Sequence, residues 1–310
     1  MVASTGGHLK QLERLAERLE GVSDEFVWVT FQAVQSQTLL AGRELVFARH
    51  THSRDVIGTA ANVRLADRLL RRRDIEAVIS TGAAIALSFM PPARARGVAC
   101  HYVESAARAD GPSMTGRLLR RVPGVRLYTQ YPAWEGGPWR YRGSVFDGFE
   151  PADPAPSRAV RRVVVALGTI RYPYPRLLRR LFDVMPSGAE VLWQTGATGS
   201  AGLPIEARAE LPASELDAAM QAADVVVAHA GVGSALSALE AGRQPLLVPR
   251  RAAHGEHVDD HQEQIASELE RRGLAFVREA DELTAADLLE AAARHAQPAA
   301  NAAPFRLDPA

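Results

Sequence analysis

Three glycine-bearing turns stand where a backbone can meet an anion. ASTGGH (Ala3–His8), ISTGAA (Ile79–Ala84) and ALGTIRYP (Ala166–Pro173) each follow an apolar run and precede a helical pattern. Glycine lets the chain approach a ligand closely, and the helix that follows offers N–H groups with no partner of their own. None of the three is a G-x-G-x-x-G or a G-x-x-x-x-G-K-[ST] loop, so the dinucleotide and ATP-loop readings lose support. One such turn commonly serves packing alone; three at strand ends point to bound phosphate.

The fullest chemical signal is VVVAHAGVGSALSALEAGRQPLLVPR, Val225–Arg250. An apolar strand ends at His229, a Gly-x-Gly turn follows, and a helix begins near Ser234. The N-terminus of that helix can hold a diphosphate through its N–H groups and dipole, with the Ser234 hydroxyl assisting. One and a half turns further, Glu240 can accept hydrogen bonds from both hydroxyls of a ribose. Out of context Glu240 reads as an ordinary exposed helix residue.

The next stretch, RRAAHGEHVDDHQEQ, brings His254, His257 and His261 near Asp259 and Asp260. These are zinc-ligand types, but the stretch crosses a glycine turn into a helix and no cluster elsewhere completes a set, so no metal is expected. No D-x-D triplet occurs in the chain. A diphosphate is therefore expected to be neutralised by helix N-termini and arginines such as Arg250, with no cofactor.

Short β-rich runs alternating with helical patterns must position these loops, which predicts an α/β fold with parallel sheets. Strands are expected at Phe26–Thr30, Leu45–Ala48, Ala77–Ser80 and Val98–Val103, then at Val163–Leu167, Glu190–Gln194, Asp224–His229, Pro245–Pro249 and Ala275–Val277. Leu9, Leu12, Leu15, Ala16 and Leu19 mark one helical face, and Val56–Leu70 another helix. FEPADPAPSRAV, residues 149–160, reads as a linker between domains over 1–150 and 160–297. Only Val2–Ser4 precede the first glycines, so the first strand reads as clipped and the start as late. The Ala/Pro-rich tail after Gln297 is expected to fray. Two such domains would leave a cleft, with ligands beyond the carboxyl ends of the strands.

The 310 residues are 47% hydrophobic and 23% charged, a globular composition with room for two cores. The single cysteine, Cys100, excludes an internal disulfide and sits in the apolar GVACHYV, where a buried thiol is expected. No apolar run is long enough to span a bilayer, and no signal peptide precedes the first strand. Net charge is zero, yet between residues 94 and 142 nine arginines face only Glu104, Asp110 and Glu135. That surplus suggests an anionic partner such as phosphate or a lipid headgroup. In MTGRLLRRVPGVR, Met114–Arg126, apolar residues interleave with Arg117, Arg120, Arg121 and Arg126, a pattern suited to lying on an anionic membrane.

The chain resembles bacterial capsular and exopolysaccharide glycosyltransferases, with two subunits fused. VASTGGHLKQL, AVISTGAAIAL, HYVESAAR, PSMTGRLL and YRGSVF are similar, in order, to the acceptor-side accessory subunit. That subunit is related to the membrane-recruiting subunit of eukaryotic dolichol-linked N-acetylglucosamine transfer. VALGTIRYPYPRLL, VLWQTGA, ADVVVAHAGVGSALSALEAGRQPLLVPR and GEHVDDHQ are similar to the donor-binding partner. Both are related to the N-acetylglucosaminyltransferase that forms lipid II in peptidoglycan synthesis.

The resemblance implies the GT-B fold, two Rossmann-like domains facing across a cleft. It also implies a UDP-sugar donor and inversion at the anomeric carbon. Gly231, Val232, Gly233 and Ser234 would flank the donor diphosphate, with Gly168, Thr169, His229 and Arg250 around it. Gln194, Thr195 and Gly196 would lie beside the nucleotide, Glu240 on the ribose, and Gln262 with Asp260 or His261 on the donor sugar. Gly6, Gly7, Gly82, Arg108, Arg117, Arg120 and Arg121 would serve the acceptor and membrane side. His8 and Glu104 are the two candidates for the base that deprotonates the acceptor.

The expected function is transfer of a hexose or hexuronic acid to a polyprenyl-diphosphate-linked saccharide, at the inner face of the cytoplasmic membrane and without nucleic acid. A non-catalytic nucleotide-sugar-binding scaffold and a UDP-sugar 2-epimerase on the same fold are the alternatives.

Overall fold

The computed structural model describes residues 1–22, 25–51, 55–156 and 159–309. Two compact units divide the chain: Met1–Val145 with Ala303–Ala310, and Phe146–Ala302. Residues 157 and 158 of the linker stretch lie outside the described residues.

The first unit is built on a seven-stranded sheet. Its order is Glu44–Ala48, Val27–Phe31, Val2–Ala3, Ala77–Gly82, Ala99–Val103, Val125–Thr129 and Trp139–Tyr141, all neighbours parallel. The second holds a six-stranded parallel sheet ordered Ala207–Arg208, Glu190–Gln194, Arg162–Ala166, Val225–Ala228, Leu246–Leu247 and Phe276–Val277. Parallel strands are covered by helices on both faces, which is why VVVA at 225–228 is buried throughout and shows no alternation.

In each sheet the strand that comes first in the chain lies inside, flanked by a strand on either side. Val2–Ala3 pairs with Val27–Phe31 and Ala77–Gly82. Arg162–Ala166 pairs with Glu190–Gln194 and Val225–Ala228. The strand order reverses at these points, so the loops leaving both strands open at switch points where α/β sheets bind ligands. ASTGGH and ALGTIRYP are those loops.

Apolar helix faces close the cores. Leu9, Leu12 and Leu15 of Gly7–Ala16 are buried, as are Leu177, Leu178 and Leu181 of Pro175–Val184. Cys100 is buried, and burial pushes its thiol up to about 12, which fits an inert core residue.

One expectation is corrected. The tail is ordered: Ala296–Pro298 pairs with Phe149–Pro151, Phe305–Arg306 pairs with Leu19–Glu20, and the Phe305 ring is buried. An aromatic anchor within an Ala/Pro-rich segment outweighed its composition. The basic segment after Met114 divides between two elements. Helix Met114–Leu119 stops, a turn follows at Gly124, and Arg126 belongs to the strand Val125–Thr129.

Candidate functional site

The first unit's loop is held from several sides. Gly6 donates its N–H to Gln35 Oε1 at 2.6 Å and lies at φ +82, a left-handed conformation open to glycine. Helix Gly7–Ala16 follows with no side-chain cap. His8 Nδ1 lies 2.7 Å from the carbonyl of Thr81, and the Thr81 hydroxyl donates to the carbonyl of His8. A carbonyl only accepts, so Nδ1 carries the hydrogen and Nε2 is the basic nitrogen. Gly82, at φ +104, lets the ring approach; a Cβ there would stand 3.2 Å from both His8 Cε1 and the Tyr102 hydroxyl.

Glu104 has a different setting. Its side chain is 1% exposed. Oε1 accepts from the Tyr102 hydroxyl and the Ser105 N–H, and Oε2 from the N–H and hydroxyl of Ser113. Burial raises its pKa against the lowering effect of these donors. Ser113 in turn caps helix Met114–Leu119 by accepting from the Gly116 N–H. A Cβ at Gly116 would collide with Glu104 Oε2 and with the Trp139 ring. Glu104 therefore ties the start of the basic helix to the sheet.

Beneath the loop runs a buried amide network that the sequence pattern did not single out. Gln130 donates to Gln11 Oε1 and to the Glu104 carbonyl, and accepts from the Val145 N–H. Gln11 also accepts from the Ala106 N–H and donates to the Gly7 carbonyl. Gln11 sits among Leu9, Leu12 and Leu15, all buried, and that polar break in an apolar face is the one available signal. Arg117, Arg120 and Arg121 are exposed, as are Met114 (69%) and Leu118 (38%), while Arg108 is half-buried.

In the second unit, His229 ends the strand Val225–Ala228 and is buried. Burial, with the Arg250 charge second, pushes its pKa down to about 3, so the ring is neutral. Its Nδ1–H donates to the Ala166 carbonyl at 3.1 Å. The ring stands between two glycines: a Cβ at Gly168 would lie 2.7 Å from Cε1, and one at Gly231 would collide with Nε2. Between them Ala230 adopts φ +58, a strained conformation for a residue with a Cβ. Helix Val232–Glu240 starts directly after Gly231, and no side chain caps it. The N–H groups of Val232, Gly233 and Ser234 thus face forward from an uncapped helix end.

Other expected donor residues brace the loops. Gln194 accepts from the Gly168 N–H and donates to the Gly168 and Ala209 carbonyls. Gly196, at φ +56, packs so tightly that a Cβ would strike the Gly168 carbonyl. The Thr195 hydroxyl is buried and makes no hydrogen bond among the described residues, while Thr169 is exposed.

Arg250 is 1% exposed and gives its guanidinium to the carbonyls of Leu167 and Tyr172, with its plane 4.8 Å from the Tyr174 ring centroid. Burial pulls its pKa down to about 10. It clasps the loop after Ala166 through its two terminal nitrogens, while its Nε is buried without a hydrogen bond among the described residues. Gln262 Oε1 accepts the Arg250 N–H, and Asp260 Oδ1 accepts that of Ala252. Glu240, half-buried, closes helix Val232–Glu240.

The histidine-rich stretch folds together at the start of helix His261–Arg271. Atoms of His257, Asp259 and His261 lie within 4.8 Å of one another, and His254, exposed, stays outside the group.

Residues 186–305 match the glycosyltransferase family 28 C-terminal domain. No curated protein matches the sequence. Among solved structures, MurG of Acinetobacter baumannii is similar at 17% identity and TM-score 0.56, over 93% of this chain and 88% of its own. The glycosyltransferase SnogD from Streptomyces nogalater is similar at 20% identity and TM-score 0.55, over 94% and 92%. The spinosyn forosaminyltransferase SpnP is similar at 15% identity and TM-score 0.56, over 94% and 88%. The chain thus has the α/β GT-B glycosyltransferase fold, and residues 186–305, most of them in its second unit, are similar to the family 28 C-terminal domain.

Proposed function

We propose that this protein is an inverting glycosyltransferase that moves a hexose or hexuronic acid from a UDP-sugar to a polyprenyl-diphosphate-linked saccharide at the inner face of the cytoplasmic membrane. The carrying observation is the uncapped start of helix Val232–Glu240, directly after the His229 wedge and within the family 28 match.

The second unit binds the donor. N–H groups of Val232, Gly233 and Ser234 and the helix dipole hold the diphosphate and take up the charge that grows on UDP as it leaves. This supplies the neutralisation for which other transferases recruit a divalent ion, so transfer runs without metal. Glu240 accepts from the ribose hydroxyls. Thr195 offers its buried hydroxyl beside the nucleotide. Gln262, with Asp260 and His261, borders the donor sugar. Arg250 acts through the loop it clasps and not on phosphate directly.

The first unit supplies the base and the acceptor side. His8 Nε2 takes the proton from the acceptor hydroxyl as that oxygen bonds to the anomeric carbon and the bond to UDP breaks on the opposite face. The Thr81 carbonyl holds the tautomer this requires. Glu104 is a positioning residue: with both oxygens enclosed by donors, it orients the helix that carries Arg117, with Arg120 and Arg121 just past its end, toward anionic lipid.

His8→Gln tests the division of labour. It should bind UDP-sugar as tightly as the wild type yet transfer about 100- to 10,000-fold more slowly. Equal turnover would reject His8 as the base.

A further inference from the structure

The geometry points to a divalent transition-metal site formed by His257, Asp259 and His261, which we propose binds zinc or a cation of similar character. Two imidazoles and one carboxylate converge at the turn that opens helix His261–Arg271. His257 Nδ1 lies 3.4 Å from Asp259 Oδ1, and His261 Nδ1 meets the same oxygen. All three ligand atoms fall within 4.8 Å of one another. Tetrahedral zinc holds N and O ligands at about 2.0–2.2 Å, which sets them about 3.3–3.5 Å apart. The trio is therefore close to ligand spacing before any ion enters.

A second observation concerns what His257 lacks. Its side chain is 11% exposed, and its Nδ1 is buried with no hydrogen bond among the described residues. A buried ring nitrogen left in that state costs roughly 1–3 kcal/mol, and a cation on Nδ1 removes the cost. The ring is fixed in place by Tyr172, 5.6 Å away between centroids, and by the His261 ring at 4.5 Å and 83°. A neutral imidazole is the form that binds metal. Asp259 is 41% exposed, so one side opens to solvent. Three protein ligands with an open fourth position match zinc sites that keep a water. Two imidazoles disfavour magnesium and calcium, which take oxygen ligands.

The cation is not a cofactor for transfer. Resting on the function proposed above, His261 borders the donor sugar, and an ion on its Nδ1 takes that side chain away from the donor. Zinc and UDP-sugar therefore compete.

The test is equilibrium dialysis of the full-length protein against zinc, followed by the same experiment on His257→Gln, His261→Gln, Asp259→Asn and His254→Gln, each confirmed folded by circular dichroism. One equivalent should bind to the wild type and to His254→Gln, and survive excess magnesium. Each of the other three variants should bind at least about 100-fold more weakly. Absence of stoichiometric zinc on folded wild type, or binding that persists when His257 and His261 are both replaced, would overturn the site. These readouts need no transfer activity, so they stand apart from the proposed function. Zinc should also raise the apparent Kd for UDP-sugar in the wild type; site binding with an unchanged donor Kd would overturn the competition alone.

Discussion

His8 and Thr81 clasp each other: His8 Nδ1 lies 2.7 Å from the Thr81 carbonyl, and the Thr81 hydroxyl returns a 2.7 Å bond to the carbonyl of His8. The pair joins the loop after Val2–Ala3 to the strand Ala77–Gly82 and fixes which ring nitrogen is basic. Thr81→Val removes the hydroxyl and keeps the carbonyl. It should loosen the loop and lower kcat about tenfold, as loss of a positioning contact does, with the donor Kd unchanged. Steady-state kinetics with direct donor titration would show the split.

Glu104→Gln replaces one oxygen of a carboxylate that accepts four hydrogen bonds. The new NH2 must face a donor, so the variant should lose about 1–3 kcal/mol of stability. Turnover per folded molecule should fall less than tenfold if Glu104 is the positioning residue proposed above. Urea unfolding alongside active-site titration separates the two effects.

The wedge of His229 between Gly168 and Gly231 predicts a coupled pair. Gly231→Ala should cost about 1–3 kcal/mol through collision with the ring and weaken donor binding. His229→Ala removes the obstacle. The double variant should be more stable than the sum of the two single losses predicts, as a double-mutant cycle would show.

The same histidine makes stability depend on acid. Its pKa is about 3 in the folded protein against an ordinary value of 6.5, so the unfolded chain takes up a proton that the folded chain refuses. The stabilisation is present above about pH 6.5 and is lost as pH falls toward 3. Replacing His229 with Asn should flatten stability against pH in that window by up to about 1.4 kcal/mol per pH unit. Unfolding midpoints measured between pH 7 and 4 would check the slope.

The parallel sheets and the three glycine loops were legible in the sequence because continuous apolar runs and glycine turns are local signals. Glu190–Gln194 was read to the residue. Val125–Thr129 was missed because Arg126 interrupts a short run whose pairing with Ala99–Val103 decides it. Arg250 read as a phosphate ligand because a cation beside a helix start suggests one. Its burial against the carbonyls of Leu167 and Tyr172, about 80 residues earlier in the chain, is a tertiary fact. Gln11 and Gln130 were passed over for the same reason: each looks like a surface amide until the other faces it across 119 residues. The convergence of His257, Asp259 and His261 depended on a turn whose geometry spacing did not specify.

Arg117, Arg120 and Arg121 are exposed beside Met114 and Leu118. Changing the three arginines to glutamine should weaken binding to vesicles containing anionic lipid on the order of 100-fold, at about 1 kcal/mol per charge. Co-sedimentation equal to the wild type would remove the membrane from the account.

The most direct test of sugar transfer is UDP release from UDP-glucose, UDP-galactose, UDP-glucuronic acid and UDP-N-acetylglucosamine, each with EDTA and a membrane lipid extract. Lipid-dependent release from one donor, undiminished by EDTA and abolished in His8→Gln, is expected. Measurable UDP binding with no release from any donor would contradict it and leave a nucleotide-sugar-binding protein without transferase activity.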